Sequence, residues 1–336
     1  MKAIVLEKPG RAAVTEVEEP RAMDDEVLLQ VRRIGLCGSD LNSYRGKNPL
    51  VSYPRIPGHE IAATVLDPGL HEEWASGTQV TLSPYAACGR CAACQRQRPN
   101  ACRDNKTLGV QCDGALTERI AVKASKLYRA NLSLKELCLV EPLTVGFHAV
   151  GRGRVTAEDT VAVFGCGGVG LGVVAGAAFR GARVIGVDLD DVKLETARMA
   201  GAADSINSSL GELHAQLMEK TDGRGPDVVI EAIGTPVTYR AAVEEVAYAG
   251  RVVYIGWAKE EVAYETRPFV HKELDILGSR NAMPEDFRAV IGMLEAKRFP
   301  VEAAVTHMVA FDETPKVLEA WSREPARFTK IMVEVS

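Results

Sequence analysis

At 336 residues, with 46% hydrophobic and 25% charged side chains, the chain is too long for one ordinary core and too apolar for disorder to dominate. Forty basic against forty-five acidic side chains leave a net charge of −5, which disfavours general nucleic-acid binding, since that rests on neutralising phosphates. The opening apolar run stops at Glu7, short of a signal-peptide core, and the glycine-rich stretch from Gly165 to Phe179 is too short to span a bilayer. A cytoplasmic protein is expected, in which eight cysteines serve metal binding or catalysis rather than disulfides.

In chain order, residues 2–7, 26–32, 59–66 and 78–83 carry β-branched or alternating apolar side chains and read as strands. Gly and Pro punctuate them, as at Pro9-Gly10 and Pro57-Gly58. The character changes near Glu141-Pro142. Strands are then predicted over 160–164, 183–187, 227–232, 251–255 and 274–278, and helices over 168–180, 192–200, 210–220, 237–247 and 285–297. This alternation predicts a doubly wound parallel α/β sheet inserted after a β-rich first domain. A last strand over 329–335 returns to that first domain.

Cys88, Cys91, Cys94 and Cys102 form a C-x2-C-x2-C-x7-C loop. Four soft thiolates in tetrahedral array suit a closed structural zinc, with an iron–sulfur cluster as the rival. The surrounding Arg90, Arg96, Arg98, Arg103 and Lys106 read as a solvated face rather than a nucleic-acid ribbon, because the whole chain is acidic.

A second set is spread wider. Cys37 lies in Gly35-Leu36-Cys37-Gly38-Ser39-Asp40, and His59 and Glu60 follow Gly58. Each motif is weak alone. Together they offer thiolate, imidazole and carboxylate, a set that can hold a zinc with one open position. Glu141 is a further ligand or a hydrogen-bond partner of bound water. Such a zinc is a Lewis acid, lowering the pKa of bound water from about 16 to about 7 and acidifying an alcohol likewise.

Gly165-Cys166-Gly167-Gly168-Val169-Gly170 is G-x-G-x-x-G between a predicted strand and helix. Gly165 permits the turn, Gly167 lets the backbone approach a pyrophosphate, and Gly170 allows close packing. Asp188 ends the next strand, placed to accept from ribose hydroxyls. Acidic Asp190 and Asp191 follow, so NAD is expected over NADP.

These motifs, in this order along the whole chain, resemble the zinc-containing medium-chain dehydrogenases, in particular the polyol dehydrogenase branch. The resemblance implies a GroES-like catalytic domain over 1–143 with a zinc lobe at 88–102, an NAD-binding Rossmann domain over 144–280, and a C-terminal return over 281–336. It implies catalytic zinc on Cys37, His59 and Glu60, with Glu141 exchanging or water-mediated, and two zincs per chain. Tyr44-Arg45-Gly46, Tyr53-Pro54-Arg55, Leu108-Gly109-Val110, His271-Lys272-Glu273 and the stretch from Gly278 to Asp286 resemble bacterial L-galactonate and L-gulonate 5-dehydrogenases and related starvation-sensing proteins. That likeness implies oxidation of a sugar acid at C5, with Tyr44, Arg45, Arg280 and Asn281 as substrate residues. Ile255, Ser279 and Arg280 join the cofactor set, and a homodimer or homotetramer is expected. Asn42 stands where several relatives carry a proton-relaying His, so proton exit is expected through Ser39, a ribose hydroxyl and water. The stretch Cys112-Asp113-Gly114-Ala115-Leu116 departs from a commoner Asp-Gly-Gly-Phe. Two other functions compete: dehydrogenation of a neutral or phosphorylated polyol, and a sensor that binds NAD and a metabolite without turnover. Retention of Cys37, Ser39, His59 and Glu60 together favours an enzyme.

Overall fold

The computed structural model describes residues 1–335. The chain forms two compact units, one of residues 1–141 and 301–336, the other of residues 142–300. The return to the first unit therefore comes at Val301, not after 280 as expected. The helix Pro284–Glu295 explains the difference. Its buried Phe287, Val290, Met293 and Leu294 lie on one face, and Asp286 Oδ2 at its start lies 2.8 Å from His148 Nδ1 of the second unit. An apolar stripe at this period buries where it packs.

The first unit is built on a seven-stranded sheet. Its main path runs His307–Ala310, Ile331–Glu334, Glu26–Leu36, Glu60–Asp67, Gln79–Leu82 and Leu127–Arg129, and Arg119–Lys123 also pairs with Glu26–Leu36. Glu26–Leu36 is the long central strand. Val27, Leu29 and Val31 alternate inward, as a strand with one face on a core requires. Its end carries the register that matters most: Gly35 faces Glu60 on one side, and Leu36 faces Ile331 on the other. Ile34, Ile61, Leu116, Phe311 and Trp321 are among the core residues.

The second unit is a six-stranded, wholly parallel sheet in the order Asp204–Asn207, Arg183–Asp188, Thr160–Phe164, Val228–Glu231, Arg251–Tyr254 and Asp275–Gly278. Numbered along the chain this is 3-2-1-4-5-6, the doubly wound order with its switch point between the first and fourth strands. Val161, Ala162 and Val163 are wholly buried, which fits a strand covered by helices on both faces.

The expected strands and helices of this unit appear within a few residues of their predicted bounds, and Thr160–Phe164 matches at both ends. Several elements were not foreseen. The 19-residue helix Leu134–Arg152 runs straight through Pro142, where the sequence suggests a break. Proline removes one helical hydrogen bond; here residues 136–144 are all buried, so packing offsets that loss. The helix Thr314–Arg323 buries Thr314, Leu318 and Trp321, one stripe of a two-faced helix. Among the described residues no helix is long and apolar enough to cross a membrane.

Candidate active site

The glycine turn takes the form its spacing requires. Gly165 adopts φ +93°, a left-handed conformation that side chains disfavour. A Cβ on Gly170 would overlap the Gly165 carbonyl oxygen, whereas one on Gly167 or Gly168 would meet nothing within 4 Å. Protein packing therefore demands glycine at 170 but not at 167, where open space lies over the start of the helix Gly168–Phe179. Its first-turn N–H groups lack intrahelical acceptors and suit a phosphate. Gly168 and Val169 are half-exposed there.

Asp188 sits against this turn. Its Oδ2 accepts the Cys166 N–H at 2.8 Å, and its Oδ1 accepts those of Leu189 and Asp190 at 2.8 and 3.2 Å. A carboxylate has about four lone-pair sites, so room for about one further donor remains. The Ile255 N–H donates to the Glu231 carbonyl at 2.9 Å, and the Ser279 N–H to that of Tyr254 at 2.9 Å. The Ser279 hydroxyl is buried without a partner among the described residues. Arg280 is exposed, and Asn281 adopts φ +53°.

In the first unit, Cys88, Cys91, Cys94 and Cys102 place their sulfurs within 4.8 Å of one another. Cys91 Sγ lies 3.5 Å from Cys94 Sγ and 3.8 Å from Cys102 Sγ. Four sulfurs about 2.3 Å from one ion in a tetrahedron stand about 3.8 Å apart, so the donor set fits zinc and is far too open for a disulfide. Backbone N–H groups of Cys94 and Arg103 draw the Cys91 thiol down, while burial and the neighbouring Cys91 sulfur push Cys94 up, so without a cation the cluster holds its first negative charge on Cys91.

Cys37, His59 and Glu60 also bring their donor atoms within 4.8 Å. Cys37 heads the short helix Gly38–Tyr44, and His59 and Glu60 meet the next strand's start. Asp40 ties the two segments together. Its Oδ2 accepts the Cys37 N–H at 2.9 Å and its Oδ1 the Gly58 N–H at 3.2 Å, while His59 Nδ1 lies 3.8 Å from Oδ1. His59 Nδ1 is buried with no hydrogen-bond partner among the described residues. Asp40 beside Nδ1 leaves the other ring nitrogen for the donor cluster, the usual arrangement for a metal-binding histidine. Burial disfavours an imidazolium here. The charges of Asp40, Cys37 and Glu141 outweigh burial and hold His59 well above its ordinary pKa, as in a pocket of anions built around a cation.

Glu141 acts on His59 through its charge but is not one of the three clustered donors. Burial raises its own pKa, opposed by His59 and by the hydrogen bond from the Tyr85 hydroxyl. Sequence reasoning missed Tyr85, fifty-six positions away from Glu141. It missed Lys330 as well, whose ammonium is buried against both Glu60 oxygens. Ser39, two residues past Cys37, has a buried hydroxyl with no partner among the described residues.

Two expected substrate residues find partners within the first unit. The Tyr44 hydroxyl donates to the Gly10 carbonyl at 2.9 Å, and the ring is buried in the first unit's core. Arg45 donates through Nε to Ser322 Oγ at 3.1 Å and also to the Ser322 carbonyl. Both side chains are engaged within this unit, Arg45 against the helix Thr314–Arg323.

Residues 23–131 match the alcohol dehydrogenase GroES-like domain, and residues 168–296 the zinc-binding dehydrogenase domain. An uncharacterized zinc-type alcohol dehydrogenase-like protein of Haemophilus influenzae is 36% identical over 98% of both chains. The chain belongs to the zinc-type alcohol dehydrogenase family. The L-galactonate-5-dehydrogenase of Escherichia coli is 30% identical over 93% of this dehydrogenase and 92% of its own length. The crystal structure of an E. coli alcohol dehydrogenase, rspB, complexed with NADH superposes with a TM-score of 0.91 at 31% identity, covering 99% of each chain. This dehydrogenase is therefore an oxidoreductase of the polyol dehydrogenase branch, with the GroES-like and Rossmann domains of its family.

Proposed function

We propose that the enzyme oxidises a secondary alcohol to a ketone with NAD as hydride acceptor, and that its substrate is a sugar acid, a hexonate oxidised at C5. The observation that carries the chemistry is the buried set of Cys37, His59 and Glu60 with the unpartnered Ser39 hydroxyl two residues beyond Cys37. Thiolate, imidazole and carboxylate are one short of a tetrahedron, the donor set of a catalytic zinc rather than a structural one. Zinc, when bound, supplies Lewis acidity that eases loss of the substrate's hydroxyl proton. Asp40 fixes the Cys37 backbone and sets its charge 3.8 Å from the His59 ring, and Glu141, held by Tyr85, stands by as a further acidic group. Ser39 receives the departing proton and passes it towards solvent, a role an amide at Asn42 is unable to play. Cys88, Cys91, Cys94 and Cys102 hold a second, structural zinc.

Asp188 supports NAD. With three N–H groups already on it, its remaining acceptor site suits a ribose hydroxyl and repels a 2′-phosphate. The substrate's carboxylate is assigned to Arg280, exposed just past the strand Asp275–Gly278, with Asn281 beside it. A guanidinium suits a carboxylate because two parallel N–H donors meet its two oxygens. The likeness to L-galactonate-5-dehydrogenase supports the same substrate class. The enzyme works as a homodimer or homotetramer in a reducing cytoplasm, where its eight cysteines persist without disulfides. The deciding experiment measures NADH formation with a hexonate and with the matching neutral polyol, for the native enzyme and for Arg280→Ala. A large preference for the hexonate that Arg280→Ala removes is expected. Equal efficiency with both, unchanged by the substitution, replaces the hexonate with a neutral polyol.

A further inference from the structure

One side chain bound to the candidate zinc site comes from far along the chain. Lys330 lies 270 residues beyond Glu60, and its Nζ contacts both Glu60 carboxylate oxygens, with the Leu36 carbonyl 3.4 Å away. Sheet register brings them together. The strand Ile331–Glu334 pairs with the end of Glu26–Leu36 so that Ile331 faces Leu36, and Gly35 faces Glu60 across the same strand. Gly35 is part of the arrangement, because a Cβ there would overlap Glu60 Oε2. The Cys138 thiol, 3.4 Å from the Glu60 carbonyl, closes another side. The carboxylate thus has one place to lie, between the ammonium and the Cys37 and His59 donors.

Stability does not account for this pair. Both side chains are buried, Lys330 at 6% exposure and Glu60 at 0%. Stripping a lysine and a glutamate of water carries a desolvation penalty that their attraction often fails to exceed, so an apolar pair of similar volume is commonly as stable. What the ammonium does without rival is withdraw negative charge from both carboxylate oxygens. A carboxylate whose charge is offset by an adjacent ammonium attracts a metal cation less strongly than a free one.

We propose that Lys330 is a positioning residue that holds Glu60 as a weak, exchangeable ligand of the catalytic zinc, so that the site kept by Cys37 and His59 retains an opening for substrate. This rests on the reading of Cys37, His59 and Glu60 as a zinc site. Without the lysine, Glu60 gives its full charge to the metal, and the site becomes tighter and more closed.

The test uses the full-length enzyme loaded with cobalt in place of zinc, as the native protein and as Lys330→Met, Lys330→Arg and Lys330→Met/Glu60→Gln. The cysteine-lobe contribution is removed by subtracting the spectrum of cobalt-loaded Cys37→Ser. Two quantities are read: the visible ligand-field bands of the Cys37-dependent cobalt, and its rate of loss to a chelator. Lys330→Met is expected to change the bands and slow metal loss by about tenfold or more, the scale of removing one unit positive charge a few ångströms from a metal cation. Lys330→Arg should return both towards native values, and adding Glu60→Gln should abolish the slowing. Should Lys330→Met not fold, Lys330→Gln is read in its place. Native bands and a native loss rate in the neutral variant overturn the proposal. So does a slowing that survives Glu60→Gln. A native enzyme with no Cys37-dependent band overturns the zinc reading itself, a failure separate from that of the lysine's role.

Discussion

Asp40 is the most economical point at which to disturb the candidate zinc site without touching a ligand. Its carboxylate is 1% exposed and accepts two backbone N–H groups, those of Cys37 and Gly58, while its charge faces His59. Asp40→Asn keeps the shape but turns one oxygen into an NH2 that must face an N–H. One hydrogen bond to a charged acceptor, about 1.5–3 kcal/mol, is lost, and the other falls to the neutral scale, about 1 kcal/mol weaker. The expected destabilisation is about 2–4 kcal/mol. Since each kcal/mol moves the midpoint by about 2–4 °C at a domain size of 150–250 residues, thermal unfolding should fall by about 4–16 °C. His59 also loses its nearest carboxylate, so metal affinity at this site should fall by about 10–100-fold. Differential scanning calorimetry and chelator competition read the two effects in one preparation. If the Asp40→Asn enzyme melts within a degree of the native protein and keeps zinc equally well, Asp40 is a bystander and the support drawn for His59 is wrong.

Cys91→Ser should release one of two zincs and lower the melting temperature, because a closed zinc site contributes to folding, whereas Cys37→Ser should abolish turnover with the fold intact; metal analysis and calorimetry separate them. Gly167→Ala, whose Cβ enters open space, should fold as the native enzyme does yet lose NAD affinity at least tenfold, while Gly170→Ala, whose Cβ meets the Gly165 carbonyl, should be destabilised even without cofactor; titration and thermal melts of the free protein decide. Arg45→Ala should cost about 1–3 kcal/mol in urea unfolding through loss of its bonds to Ser322 and leave the KM for the sugar substrate unchanged; a large rise in KM with native stability would return Arg45 to the substrate site.

The parts of the site that were legible in the sequence are those whose chemistry is local. The glycine turn occupies six consecutive residues, and the cysteine lobe fifteen. In each, the constraint acts between neighbours along the chain: Gly170 is glycine because of Gly165, and Cys91 approaches Cys94 because it caps the short helix Ala92–Gln95 on which Cys94 lies. Cys37 and His59-Glu60 were legible as two halves, since each is flanked by glycine. Their union depends on Asp40, which reaches eighteen positions to the Gly58 N–H.

What escaped the sequence is what the sheet assembles. Tyr85 meets Glu141 across fifty-six positions and Lys330 meets Glu60 across 270, distances at which no spacing rule operates. Tyr44 and Arg45, expected at the substrate, have partners within the first unit that the sequence did not announce either. Tyr44 lies one turn beyond Asp40 and donates its hydroxyl to the Gly10 carbonyl, while Arg45, at the end of the same short helix, reaches Ser322. The sequence did hold one trace of Lys330, a charged residue directly before the apolar run Ile331-Met332-Val333 of the last strand. A buried lysine needs an anion. In a chain whose first domain already offers Glu60 and Glu141 as candidates for burial, the question such a lysine poses is which acid it neutralises. The pairing of Ile331 with Leu36, one position from Gly35 and its partner Glu60, answers it.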